Sequence, residues 1–74
     1  MTDELSQDER QYLTAVGLVV LSQKGSTSFI QRRLYIWYNE AARLAERMEA
    51  DGILARPNHV GKREVLVSPK RPTP

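Results

Sequence analysis

Three side chains that can hydrogen-bond to the edges of nucleobases lie at helical spacing. Asn39, Arg43 and Glu46 are four and three residues apart, so on a helix they share one face. Arginine pairs with the two acceptors of guanine, asparagine with the acceptor and donor of adenine, and glutamate accepts from the amino group of cytosine. This face could read bases in a DNA groove. The spacing equally fits a solvated surface helix, in which Glu46 or Glu40 merely pairs with a neighbouring arginine.

A second group of residues suits contact with the sugar-phosphate backbone, because its members are basic or carry hydroxyl groups. The group consists of Ser26, Thr27, Ser28, Arg32, Arg33, Arg47, His59, Lys62 and Arg63. These residues would position the domain on a duplex and would not specify its sequence. Taken singly, each subset also fits an ordinary protein surface. The agreement of several basic elements along one motif favours a DNA footprint.

The elements that must position these side chains begin with an amphipathic helix over residues 8–24. Tyr12, Val16 and Val19 recur at helical spacing among polar residues. Gly17 in the interior and neighbouring valines leave a strand over residues 15–21 as the competing local interpretation. The length of the pattern favours the helix, and Lys24 followed by Gly25 is typical of a helix end.

Two further helices follow. Ser28 and Gln31 form a Ser-x-x-Gln capping box that predicts the start of a short second helix. Residues 40–51 are rich in strong helix formers and precede Gly52, which predicts a third helix that ends there. The apolar stripe of this third helix consists of Ala41, Leu44, Ala45 and Met48.

The aromatic residues between the second and third helices are Tyr35, Trp37 and Tyr38. Large aromatic side chains near a turn pack into a core more often than they form stacking platforms. We therefore expect Ile36 and Tyr38 to be buried.

Residues 53–67 predict a β-hairpin, since Asn58 to Gly61 supply turn residues between two apolar-rich runs. The order of elements predicts a mainly α (α+β) winged helix-turn-helix with three helices and a two-stranded β-hairpin wing. Residues 1–7 form an acidic leader, residues 8–67 a winged-helix DNA-binding domain, and residues 68–74 a disordered tail with three prolines. In such a fold, the third helix enters the major groove.

Composition excludes several classes of protein. Seventy-four residues can hold one modest core. With no cysteine, and with His59 as the one histidine, a metal site is not expected. We find no catalytic motif, no cofactor motif and no apolar run long enough for a membrane span, so we expect a cytoplasmic binding module that is not an enzyme and does not contact a membrane.

Charge is distributed unevenly along the chain. The overall net charge is +2. Residues 1–23 carry four acidic residues and one basic residue, whereas residues 24–74 carry ten basic and five acidic residues. The excess of five positive charges on the larger part indicates an anionic partner, although charge alone does not separate nucleic acid from other anions.

Residues 24–67 resemble the gamma domain of the FtsK family of bacterial DNA translocases. The similarity is carried by four strings in fixed order, and residues of the first helix such as Tyr12 and Val16 extend it. The strings are Gln31-Arg32-Arg33, Tyr38-Asn39, Ala41-Ala42-Arg43 and Arg63-Glu64-Val65-Leu66.

The resemblance implies a winged helix that binds double-stranded DNA at short G-rich sequences, which orient the translocase toward the chromosome terminus. It places base reading at Asn39, Arg43 and Glu46. It also implies a tyrosine recombinase as a second partner and leaves open how many copies share one DNA site. A protein-docking winged helix and a small transcription factor remain as alternatives, as do an excised domain and a free-standing protein.

The sequence departs from the family pattern at three positions. Trp37 stands where glycine is usual, so we expect backbone strain or an altered turn there. Glu40 replaces a basic residue and should repel phosphates. Ala45 replaces a larger aliphatic residue, which predicts a thinner and less stable core.

Overall fold

The computed structural model describes residues 6–69, which contain three helices. They are α1 (Gln7–Ser22), α2 (Thr27–Leu34) and α3 (Tyr38–Ala50). The helical part of the predicted fold is confirmed, and the competing strand over residues 15–21 is wrong. Residues 1–5 and 70–74 lie outside the described part, so the predicted division into leader, domain and tail stays a prediction.

Helix α1 begins after an N-cap serine and ends at Ser22, two residues before the predicted end at Lys24. The hydroxyl of Ser6 accepts a hydrogen bond from the Glu9 amide at 3.1 Å, which satisfies one of the open donors of the first turn. The helix ends where Gln23 takes a left-handed conformation with φ of 59°. The Gln23 side chain stabilises this end by donating to the carbonyls of Val20 and Val67 at 2.8 and 2.9 Å.

Helix α2 starts two residues before the predicted position. Its N-cap is Ser26, whose hydroxyl accepts from the Phe29 amide at 3.2 Å. The predicted capping box at Ser28 is therefore wrong, because Ser26 already caps the helix and Ser28 lies within its first turn. The helix ends at Tyr35, which has φ of 58° and lies in the left-handed region.

In the turn into α3, backbone strain falls on a different residue from the one that the sequence predicted. Trp37 is extended, with φ of −75°, so the expected strain at this residue is wrong. The strained residue is Tyr35, since a left-handed conformation of a non-glycine residue costs about 1–3 kcal/mol. The Glu40 carboxylate accepts from the Trp37 amide at 3.4 Å, so this acid stabilises the helix start.

The C-terminal end of α3 closes as expected at Gly52. The Ile53 amide donates to the Met48 carbonyl at 2.8 Å, and the Gly52 amide donates to the Glu49 carbonyl at 3.1 Å. This pair of hydrogen bonds requires a left-handed conformation at the residue that follows the C-cap, and Gly52 supplies it with φ of 79°.

Eight side chains form the core, and they come from all three helices and from the segment after them. They are Tyr12, Ala15, Val19, Ile30, Ala41, Ala45, Met48 and Leu54. Ile36 packs against this cluster, as expected. Tyr38 is 57% exposed, so its predicted burial is wrong. As the first residue of α3 it lies beside Ser28 and Lys62, at the surface where α2 also begins.

The predicted two-stranded hairpin is not formed as strands within residues 6–69. One antiparallel bridge instead joins Leu54 and Val65, flanked by hydrogen bonds from Ala55 to Glu64 and from Leu66 to Ile53. We call residues 53–67 the C-terminal loop. Its ladder stops early because Pro57 has no amide donor, and because the Asn58 side chain accepts from the Val60 and Lys62 amides.

Two glycine-to-alanine substitutions should have opposite effects on stability. Gly25 is buried, and a Cβ there would overlap Cδ2 of the fully buried Leu54, so Gly25→Ala should destabilise by about 1–3 kcal/mol. A Cβ at Gly17 meets nothing, so Gly17→Ala should stabilise α1 by up to about 1 kcal/mol. Urea unfolding of both variants measures the difference. Equal effects would show that Gly25 is not needed for this close packing.

Candidate nucleic-acid interface

One ridge of α3 lies directly opposite the buried face of that helix. The ridge consists of Asn39, Arg43 and Glu46, which are all exposed. Ala41, Ala45 and Met48 on the other side are completely buried. Among residues 6–69, no hydrogen bond or ion pair engages the three ridge side chains, so the intrahelical pairs of Glu46 or Glu40 with arginine are not formed. The ridge can therefore bind an external partner without first losing an internal contact.

Arg47 lies on one flank of the ridge and connects α3 to α1. Its guanidinium donates to the Glu9 carboxylate at 3.0 Å and lies 3.8 Å from the centre of the Tyr12 ring. Asp51, one turn further along, is 4.0 Å from the Arg47 Nε and accepts a hydrogen bond from the Tyr12 hydroxyl. The arginine that we predicted as a backbone contact is thus engaged in holding two helices together.

Arg63 lies on the other flank and connects α3 to the C-terminal loop. Only 8% of its side chain is exposed. Nη1 donates to Glu49 at 2.9 Å and to the Ala55 carbonyl at 3.0 Å. A guanidinium that is covered and paired in this way holds the loop against the helix and is poorly placed for a phosphate.

The remaining residues predicted to contact the DNA backbone lie on or next to α2. Some of them have a structural role, and others are exposed. The Ser26 hydroxyl is engaged as the N-cap, and Thr27 is half-buried. Ser28, Arg32 and Arg33 are exposed. Arg33 lies 5.6 Å from the centre of the Phe29 ring, a distance typical of a cation–π contact.

The tip of the C-terminal loop presents His59 and Lys62, which are both exposed. A depression of about 260 Å³ connects this tip to the helices, because Lys62, Ser28 and Tyr38 all line it. The structure therefore brings the start of α2, the start of α3 and the loop tip onto one continuous surface. Arg47 and Arg63 do not line this depression and are engaged in their own ion pairs.

No group of three potential ligands that could hold a metal ion occurs in the described part of the chain. None of the helices within residues 6–69 is long and apolar enough to cross a bilayer.

Comparison with known protein families identifies the chain over nearly its whole length. Residues 6–68 match the FtsK gamma domain. The chain belongs to this family. Similar proteins include the DNA translocase FtsK of Rhizobium meliloti, 53% identical over 89% of this chain, and that of Caulobacter vibrioides, 54% identical over 82%. The DNA translocase FtsK of Bradyrhizobium diazoefficiens is 60% identical over 72% of the chain.

The gamma domain is a small part of these relatives. The match covers 8% of the Rhizobium meliloti protein, 7% of the Caulobacter vibrioides protein and 6% of the Bradyrhizobium diazoefficiens protein. The chain therefore spans less than a tenth of the length of each of these complete translocases.

Two features of this gamma domain surface were missed by the sequence interpretation. Tyr35 and Trp37 are 92% and 76% exposed, which their size did not suggest. Lys24 was treated only as a helix-end residue, yet it is exposed and lines a basic depression beside α2. The position of Lys24 depends on tertiary packing, whereas the i, i+4 spacing of Arg47 and Asp51 could have indicated the structural role of Arg47.

The Tyr12 hydroxyl should make stability of the gamma domain sensitive to alkaline pH. Burial and the hydrogen bond to Asp51 raise the pKa of Tyr12 to about 12, from an ordinary value near 10. The neutral tyrosine is therefore favoured in the folded state, and its contribution to stability is complete below pH 10 and is lost as the pH rises from about 10 to 12.

Tyr12→Phe removes this titrating group and its hydrogen bond. We expect the variant to be less stable at pH 7 by about 1 kcal/mol, with a difference from the original protein that shrinks between pH 10 and 12. Urea unfolding across this pH range measures the difference. A constant difference up to pH 12 would contradict the coupling of Tyr12 to Asp51.

Proposed function

We propose that this chain is a sequence-specific reader of double-stranded DNA, which places the α3 ridge in the major groove. The observation that carries the proposal is the ridge itself: three base-pairing side chains are exposed on one face and uncommitted within the described residues. A helix that follows a tight turn after another helix is the usual reading element of a helix-turn-helix protein.

Each ridge residue has a distinct pairing preference. Arg43 would pair with the two acceptors of guanine, Asn39 with adenine, and Glu46 with the amino group of cytosine. Each such pair provides about 1–3 kcal/mol of discrimination against the wrong base. An arginine in the centre of the ridge fits a G-rich target.

The two ion pairs beside the ridge support its use as a rigid reading surface. Arg47 fixes α3 against α1, and Arg63 fixes it against the C-terminal loop. A preorganised surface loses less conformational entropy on binding than a mobile one. We therefore exclude these two arginines from the proposed DNA contacts.

The proposed backbone contacts are Ser28, Arg32 and Arg33 on α2, with Thr27 beside them. We also propose that the C-terminal loop acts as the wing, although its ladder is a single bridge, with His59 and Lys62 directed at phosphates. Electrostatic contacts of this kind set affinity and salt dependence, and they are largely insensitive to sequence.

In the complete translocase, this reading module would recognise short G-rich sequences that orient DNA movement during chromosome segregation. The module would supply direction, and a motor elsewhere in the protein would supply force. We predict no enzymatic activity, cofactor or metal for these 74 residues. A cytoplasmic position on the chromosome would follow from this role.

The second candidate partner is a tyrosine recombinase, bound through the same basic surface or an adjacent one. Protein docking and DNA reading differ in what they respond to. DNA reading requires a preference for a G-rich duplex over a scrambled duplex, together with an affinity that falls steeply with salt. No contact of the described residues favours the recombinase over DNA, so we propose DNA as the principal partner.

Two substitutions separate base reading from backbone contact. Arg43→Ala should weaken binding to the preferred duplex by about 1–3 kcal/mol and affect a scrambled duplex much less. Arg32→Ala should weaken binding to both duplexes alike and reduce the salt dependence. Fluorescence anisotropy with labelled duplexes, selected first from a random pool, measures both effects. If Arg43→Ala and Arg32→Ala behave identically, the ridge of α3 does not read bases.

A further inference from the structure

A basic depression of about 510 Å³ lies beside the start of α2, away from the α3 ridge. We call it the cationic cleft. Lys24 from the α1–α2 connection, Arg32 from α2 and Lys62 from the C-terminal loop all line it. Three separate segments of the chain therefore converge on one concave surface.

The charge of the cleft is not balanced by acids. No aspartate or glutamate lines it. Arg63, the fourth basic residue of the lining, is paired with Glu49. Within residues 6–69, the structure gives no ion pair to Lys24, Arg32 or Lys62. Their three positive charges thus face solvent together.

Other depressions on the domain differ in this respect. An adjoining depression of about 520 Å³, which shares Gln23, Lys62 and Arg63 with the cleft, includes Glu64 among its lining residues. One of about 210 Å³ between α1 and α3 includes Asp8 and Glu40. A basic lining without any acidic residue therefore distinguishes the cationic cleft from these two depressions.

The walls of the cleft are held in place by packing, by a cation–π contact and by a backbone hydrogen bond. Gly25 packs against the buried Leu54, which fixes the backbone next to Lys24. The Lys24 ammonium lies 5.8 Å from the centre of the Phe29 ring, within the range of a cation–π contact. On the opposite wall, the Asn58 side chain accepts from the Lys62 amide at 2.9 Å.

The cleft is also continuous with the proposed reading surface. The adjacent depression of about 260 Å³ shares Ser26 and Lys62 with it and reaches Tyr38, the first residue of α3. An anion in the cleft would therefore lie beside the strand backbone that borders the groove occupied by α3. Phosphate groups of a duplex follow such a path at short and regular intervals.

We propose that the cationic cleft holds a phosphate of the DNA backbone and that Lys24 is one of its direct contacts. This inference rests on the proposed function, because it assumes a duplex against α3. It adds a contact from the α1–α2 connection. Lys24, Arg32 and Lys62 would then contact the phosphates of one strand from three segments of the chain. These contacts would fix the register of α3 in the groove.

The test uses the full chain with Lys24→Gln and two matched variants. Lys24→Arg keeps the charge, and Arg56→Gln removes one charge from an exposed residue outside the cleft. Affinities for a G-rich and a scrambled duplex are measured by fluorescence anisotropy at several salt concentrations. Circular dichroism checks that each variant is folded.

For Lys24→Gln we expect binding about tenfold weaker at 0.1 M salt on both duplexes, and a slope of log affinity against log salt that falls by about 0.9. Lys24→Arg should retain the original slope, and Arg56→Gln should leave it unchanged. Suppose that the slope and the affinity are unchanged for Lys24→Gln while the original protein still prefers the G-rich duplex. This result would overturn the proposed phosphate contact in the cleft and leave the proposed reading function intact. Failure of the original protein to bind any duplex would overturn both.

Discussion

The contact between Arg47 and Tyr12 determines how the rest of this domain can function. The guanidinium lies 3.8 Å from the ring centre and also pairs with Glu9, so one side chain joins α3 to α1 through stacking and charge. On the opposite flank, Arg63 joins α3 to the C-terminal loop. Because both flanks are fixed, the orientation of the ridge between them is set before any partner binds.

A small core makes such surface contacts important. Only eight hydrophobic side chains are buried among the residues described, and three of them are alanines. A domain of this size buries a limited fraction of its surface, so its stability margin is narrow. Close packing compensates in part: Gly25 lets the α1–α2 connection approach Leu54, and Tyr12 is buried with its hydroxyl bonded to Asp51. The charged contacts between the elements therefore add to the stability that this small core provides.

The features that depend on local residue spacing could be predicted from the sequence. The predictions were wrong for features whose conformation depends on tertiary contacts. The three helices and the α3 ridge follow from helical periodicity and the helix end at Gly52. The caps were harder to place, because Ser26 and Ser28 both suit an N-cap and only packing selects Ser26. The two strands of the hairpin were not formed, because side chains of Asn58 and Arg63 take hydrogen-bonding groups that a ladder would use.

The central claim is that α3 presents its ridge to a duplex while its flanks remain tied to the fold. Nuclear magnetic resonance titration with a G-rich duplex tests this most directly, through the side-chain signals of Asn39 and of the arginines. The account predicts large shifts for Asn39 and the Arg43 guanidinium, with Arg63 nearly unchanged. Large shifts at Arg63, with Asn39 and Arg43 still in their solvent-exposed state, would contradict it.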